Sequence, residues 1–274
     1  MDKITINLPG MDDFFTKEAY KVLRTNLQFC GQDVHAIAIT SCIENEGKTV
    51  VSMQIAKSFS ELGKRVLVVD ADMRKSVMAG RNTDVRNCSG LSEVLTGLKP
   101  LNECVYATQF DNLHILFAGK YPPNPVELLN GKYFAALMEA LRKAYDYIII
   151  DTPPLGRVID AAVIATKCDG TVLVLGDGRV HSKQAQEVLA QLRKSECRVL
   201  GAVRNKTRKK REGYYYRSRR YGYYGKSRYG YGAYGYGYGQ QPSHHKHKKG
   251  KNKQEEAAEA VSAEDSNSSD STKS

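Results

Sequence analysis

The sequence predicts an α/β fold: a doubly wound, mostly parallel sheet with helices on both faces and a disordered C-terminal tail. Three observations carry this. Short apolar runs of strand length recur along the first 206 residues, among them VHAIAIT, RVLVVD, YIIID and GTVLVL. Helical patterns lie between them, as strands buried on both faces of a parallel sheet require. The chemically useful residues fall at the ends of those runs, at 41–49, 70–74, 151–154 and 204–206, where such sheets bind ligands.

In chain order, residues 16–29 read as a helix with Tyr20, Leu23 and Leu27 on one face. Val34 to Thr40 is a buried strand. A polar loop leads to a helix from Lys48 to about Leu62, stopped by Gly63. Arg65 to Asp70 and Leu113 to Ala118 are the second and third strands. Val126 to Tyr145 fits one long amphipathic helix. Tyr147 to Asp151 and Gly170 to Leu175 are strands four and five. Ser182 to Leu192 is a helix, and Val199 to Val203 a sixth strand.

The composition changes near residue 206. We read 1–206 as the folded domain, 207–240 as a Tyr/Gly/Arg segment, and 241–274 as a disordered His/Lys stretch with an acidic, Ser-rich end. Eleven of the seventeen tyrosines lie between 214 and 238: Tyr214, Tyr215, Tyr216, Tyr221, Tyr223, Tyr224, Tyr229, Tyr231, Tyr234, Tyr236 and Tyr238. That stretch contains no Leu, Ile, Val, Met or Phe, so the rings have no core to fill. Residues 204–253 carry sixteen basic residues and one glutamate, a net +15, whereas residues 254–274 carry six acids and one lysine, a net −5. The folded domain is nearly neutral, and the chain's +11 belongs to its tail. Six scattered cysteines, none in a C-x-x-C pair, read as reduced thiols of a cytoplasmic protein. No secretory signal and no apolar run of about 18 residues is seen, so a membrane is expected to be reached through a partner or the basic tail.

Three motifs carry chemistry. Ser41 to Thr49 (SCIENEGKT) joins a strand to a helix and ends as a phosphate-binding loop does. Glu46, Gly47, Lys48, Thr49 and Val50 would surround the phosphates with backbone N–H groups, with Lys48 on the β/γ-phosphates and the Thr49 hydroxyl on Mg²⁺. Asp70 and Asp72 (VVDAD) project to the same side of a strand end, placed to hold a cation shell or to take a proton. Asp151 ends another buried strand (IIID) beside this loop and is a further Mg²⁺ organiser. An exposed cluster of phenols on a chain with a nucleotide site suggests phosphoryl transfer onto that cluster.

In this order, the three motifs resemble those of the bacterial tyrosine kinases of capsular and exopolysaccharide biosynthesis, in the deviant Walker P-loop ATPase superfamily, of the type that is a separate soluble chain. The resemblance extends to Gly90–Leu95 (GLSEVL), Pro122–Leu129 (PPNPVELL) and Gly201–Lys206 (GAVRNK). It implies an ATP- and Mg²⁺-dependent protein-tyrosine kinase that phosphorylates its own tail in trans. By the same resemblance Asp70 is the base toward tyrosine, Asp72 a supporting acid, and Asn205 an adenine contact. Glu18, Lys21 and Arg24 match the family's E-x-x-R-x-x-R segment, which builds a ring of subunits; Lys21 stands where the family has arginine. Glu44-Asn45 stands where the family has Pro-Gly; Asn can adopt a positive φ, so a slower site rather than a lost one is expected. A membrane adaptor of the polysaccharide co-polymerase type, a tyrosine phosphatase and other tyrosine-containing substrates are the implied partners.

Two other readings are open to the residues. Partition and septum-placement ATPases share the superfamily, but carry a lysine where this chain has Ile43, and no tyrosine-dense tail. An Arg/Tyr/Gly arm can also stack on single-stranded RNA. Such an arm needs no nucleotide site, so a nucleic-acid partner is not favoured.

Overall fold

The computed structural model describes residues 2–10, 13–85 and 88–207; the predicted tail and its eleven tyrosines lie outside them. Eight strands form one sheet: β1 (Lys3–Ile4), β2 (Ala36–Ser41), β3 (Val66–Asp70), β4 (Val105–Thr108), β5 (Leu113–Leu116), β6 (Tyr147–Asp151), β7 (Gly170–Gly176) and β8 (Val199–Asn205). Their order is β1-β4-β5-β3-β6-β2-β7-β8, and every pairing is parallel except β4 with β5. The helices are α1 (Phe14–Phe29), α2 (Lys48–Ser60), α3 (Met78–Asn82), α4 (Leu91–Leu95), α5 (Pro125–Asn130), α6 (Lys132–Ala144), α7 (Asp160–Ala165) and α8 (Ser182–Lys194). None of these helices is long and apolar enough to cross a membrane.

The alternation of side chains along the strands divides the core. Ile37, Ile39, Val66, Val68 and Ile149 pack with Leu27 of α1 and Val51, Met53, Ile55 and Phe59 of α2. The intervening residues Leu67, Val69, Ile148 and Ile150 pack on the opposite face with Phe134, Leu137, Met138 and Leu141 of α6. Farther along that face, Ala38 and Leu173 meet α7 and α8 through Ala161, Ala162, Val188 and Leu192. Helix α2 is buried nearly all round, which suits a helix sandwiched between sheet and α1 rather than one facing water.

The sheet therefore has the predicted class, with two more strands than expected. β1 has only two residues, and β4 (VYAT), as short as β5, lacks the apolar run LHILFA that marks β5. The long helix expected over 126–145 is two helices, α5 and α6, broken at Gly131, whose φ of −74° and ψ of 163° are extended. The core explains the break. Phe134, Leu137, Met138 and Leu141 follow helical spacing, but Leu129 stands five residues before Phe134. In an unbroken helix it would point about 140° away from that face, and the break lets Leu129 reach the same core.

Asp169, which follows α7, fixes the start of β2. It accepts hydrogen bonds from the backbone N–H groups of His35 (2.8 Å) and Ala36 (2.7 Å) and from Arg142 Nη1 (2.8 Å). Burial alone would raise its pKa, but Arg142 and the two N–H groups outweigh it and hold the carboxyl below its ordinary 3.8. Replacing Asp169 by alanine is expected to cost about 1–3 kcal/mol of stability, because two strand N–H groups and a half-buried guanidinium lose their acceptor. The wild-type contribution is complete above pH 3.8 and is lost as pH falls through the lowered folded value. Urea unfolding of both proteins at pH 7 and pH 3 checks this: the gap should narrow at the lower pH.

Candidate nucleotide and phosphoryl-transfer site

The site lies where β2, β3 and β6 end. In register, Asp70 is the direct neighbour of Asp151, and Ile39 pairs with Asp151 from the other side. The sheet thus delivers two carboxyl groups to adjacent strand ends, and the chain leaving β2 forms the phosphate loop above them. The loop turns into α2 at Gly47, whose φ of +91° is left-handed and costs glycine little. Asn45 also has a positive φ, +62°, a state that Asn tolerates.

Lys48 and Thr49 open α2 and face the acids. Lys48 Nζ lies 3.4 Å from Asp72 Oδ2. The Thr49 hydroxyl donates to Asp151 Oδ2 at 2.6 Å. Ser52, one turn after Lys48, donates to the Lys48 carbonyl at 2.9 Å and lies 3.2 Å from Asp151 Oδ1. Asp70 Oδ1 accepts from the Asp72 N–H at 3.2 Å, and its Oδ2 accepts from the Ser76 hydroxyl. Asp72 Oδ1 accepts from the Lys75 N–H at 3.0 Å. The structure thus brings together Lys48, Thr49, Asp70, Asp72 and Asp151, all predicted from sequence.

Their electrostatics are those of too many acids for one cation. Asp70 is buried, and burial followed by the neighbouring Asp151 pushes its pKa up to about 8. Asp151 is raised as well, by burial, although Lys48 and the Thr49 hydroxyl oppose the rise. Burial pulls Lys48 down, but Asp151, Asp72 and Asp70 together outweigh it and hold the ammonium above its ordinary value. This all-oxygen, negatively biased donor set fits a hard divalent cation such as Mg²⁺. Among the described residues no group of three His, Cys, Asp or Glu side chains closes into a metal cage. Mg²⁺ in phosphoryl-transfer sites takes only one or two carboxylates and completes its shell with water and phosphate.

Other residues of the loop and its surroundings have different partners. Glu46 is fully buried, its side chain turned to backbone N–H groups, and Asn205 donates to the Glu46 carbonyl at 2.9 Å. Val50 is half-buried in the first turn of α2. Arg74 is held by Asp160 in a two-point pair (Nε–Oδ2 2.7 Å, Nη2–Oδ1 3.3 Å), and Lys75 pairs with Glu44 at 2.8 Å. Arg74 and Lys75 are thus engaged away from Asp70 and Asp151. On α1, Glu18 and Lys21 pair with each other at 2.7 Å, and Arg24 donates to the Ser58 carbonyl at 2.6 Å. Sequence reasoning missed Ser52 and Ser76. Ser52 was within reach of it, being four residues after Lys48 on the same helical face; Ser76 sits in an irregular turn with no periodic signal.

The family model described as "AAA domain" (AAA_31) matches residues 34–194. The chain is 41% identical over 191 residues to the tyrosine-protein kinase CpsD of Streptococcus agalactiae, covering 70% of this chain and 83% of that protein. Its structure is similar to the kinase domain of the Escherichia coli tyrosine kinase ETK, with a TM-score of 0.68 and 30% identity, covering 76% of this chain and 84% of the other. A more distant likeness is to the septum site-determining protein MinD complexed with Mg-ADP from Pyrococcus horikoshii, with a TM-score of 0.50, 28% identity, and coverage of 62% and 69%.

Proposed function

Because this chain belongs to the bacterial tyrosine-protein kinases, within the AAA domain family, we propose that it uses ATP and Mg²⁺ to phosphorylate the tyrosine cluster of its own C-terminal tail. The observation that carries this reading is the convergence of Asp70, Asp72 and Asp151 on Lys48 and Thr49, in a chain that also holds eleven tyrosines between 214 and 238. Lys48 positions and neutralises the transferring phosphate. Asp70, whose pKa of about 8 suits proton transfer near neutrality, accepts the tyrosine proton, and Asp72 orients Lys48. Thr49 and Asp151 are the residues to hold Mg²⁺, which when bound offsets phosphate charge. Asn205 is placed at the loop's edge, where contact with the adenine is the role the family suggests.

Transfer runs in trans within a ring-like assembly built on Glu18, Lys21 and Arg24. The chain acts in the cytoplasm, recruited by a membrane adaptor of the polysaccharide co-polymerase type, and a tyrosine phosphatase resets it. Each phosphate adds roughly −1.5 to −2 charges, so phosphorylation of about eight to eleven of the eleven tyrosines reverses the sign of the +15 stretch. That reversal drives tails and subunits apart and cycles the assembly during capsular or exopolysaccharide synthesis and export. Incubation with ATP and Mg²⁺ followed by phosphopeptide mapping tests the proposal. Phosphotyrosine is expected within 214–238, and a map with none there rules the tail out as substrate.

A further inference from the structure

The buried Glu46 side chain ties two distant parts of the chain to one point. Oε2 accepts from the N–H groups of Cys42 (2.7 Å) and Ile43 (2.8 Å), and Oε1 accepts from the N–H of Gly176 at the end of β7 (2.7 Å). Its own carbonyl accepts from Asn205 Nδ2 at the end of β8 (2.9 Å), and the carbonyl of Asn45 accepts from Lys206 Nζ (2.6 Å). There is no slack in this attachment: a Cβ on Gly47 would stand 2.3 Å from Asn205 Nδ2.

We propose that Glu46 is a positioning residue which, with Asn205 and Lys206, sets the peptide planes of the phosphate loop before nucleotide arrives. A trans peptide points its C=O and the following N–H in opposite directions. With the Asn45 carbonyl held by Lys206, the Glu46 N–H faces away from β8. With the Glu46 carbonyl held by Asn205, the Gly47 N–H does the same. The Glu46 side chain meanwhile engages the Cys42 and Ile43 N–H groups, so these do not compete for the ligand. The loop is thereby preorganised with the Glu46 and Gly47 N–H groups free to receive phosphate, and no ordering cost is left for binding. Glu46 therefore acts through the backbone rather than as a ligand. This rests on the nucleotide reading of the site.

The test is titration of the full chain with Mg·ADP and, separately, with Mg·tripolyphosphate, which has no base. Glu46→Gln presents an NH₂ group to one set of N–H donors and should weaken both probes about tenfold. Asn205→Ala and Lys206→Met should weaken tripolyphosphate several-fold, whereas an Asn205 that touches only adenine would leave tripolyphosphate binding unchanged and overturn its part. The KM for ATP should rise by more than kcat falls in all three variants. A lowered melting temperature with unchanged affinity for both probes would mean that Glu46 is merely structural. Lys206 is exposed, so its variant reports even if the buried glutamine is not tolerated. Wild-type protein that binds neither probe overturns the nucleotide reading and this proposal with it; wild-type binding matched by all three variants overturns this proposal alone.

Discussion

Replacing Lys48 by methionine should lower phosphotyrosine formation by about 10²–10³-fold, the usual loss when one preorganised charge is removed from a transition state. Methionine keeps the length and most of the packing of the side chain, so the loss isolates the charge. Lys48 is well placed to supply it: the side chain is only 13% exposed, and its ammonium lies 3.4 Å from Asp72. Partial dehydration makes such a charge count for more than it would in water. The variant also strands Asp70, Asp72 and Asp151 without their cation, so it should unfold at a lower temperature in the absence of nucleotide. Phosphotyrosine quantified by mass spectrometry, on protein whose near-ultraviolet dichroism matches wild type, decides the matter. More than a tenth of wild-type activity in the variant would remove Lys48 from the mechanism.

Asp70→Asn should act on activity and stability in opposite directions. Activity should fall to background, because the carboxamide cannot take a proton. Stability of the nucleotide-free protein, in EDTA, should rise. Asp70 is buried beside Asp151, and its folded pKa of about 8 lies above its ordinary 3.8. Its contribution is therefore fully present below pH 3.8 and is lost as pH rises toward 8. Asparagine removes that penalty while keeping an acceptor for the Asp72 N–H, and the Ser76 hydroxyl can rotate to accept from the new NH₂ group. A gain of about 1–2 kcal/mol, or roughly 2–8 °C in melting temperature for a domain of this size, is expected at pH 7.5. The gain should shrink toward pH 4. A variant that melts below wild type at pH 7.5 in EDTA contradicts this account of the acids.

What could be read from the sequence was whatever depends on short-range order. β3, β6 and β7 are apolar runs whose burial follows from composition alone, and Asp70, Asp72 and Asp151 were identifiable because each lies at or just past the end of such a run. Lys48 and Thr49 were found because loop, glycine and helix are contiguous. The remainder depends on partners remote in the chain. Nothing near Glu46 announces that its side chain reaches Gly176, 130 residues away. Likewise nothing near Arg74 signals that Asp160, 86 residues on, will claim its guanidinium. The break at Gly131 was hidden because residues 126–145 satisfy amphipathic spacing well enough without it, and only the position of Leu129 against the sheet requires it.

The parallel register of β3 and β6, which sets Asp70 level with Asp151, has a consequence for how this chain tolerates changes in length. Successive residues of a strand face opposite sides, so one residue gained or lost within β3 or β6 would turn its terminal aspartate from one face of the sheet to the other and reverse the packing of every residue beyond the change. The spacing of the acids is thus gauged by two five-residue strands rather than by the loops that follow them. Those two strands therefore admit substitution without insertion.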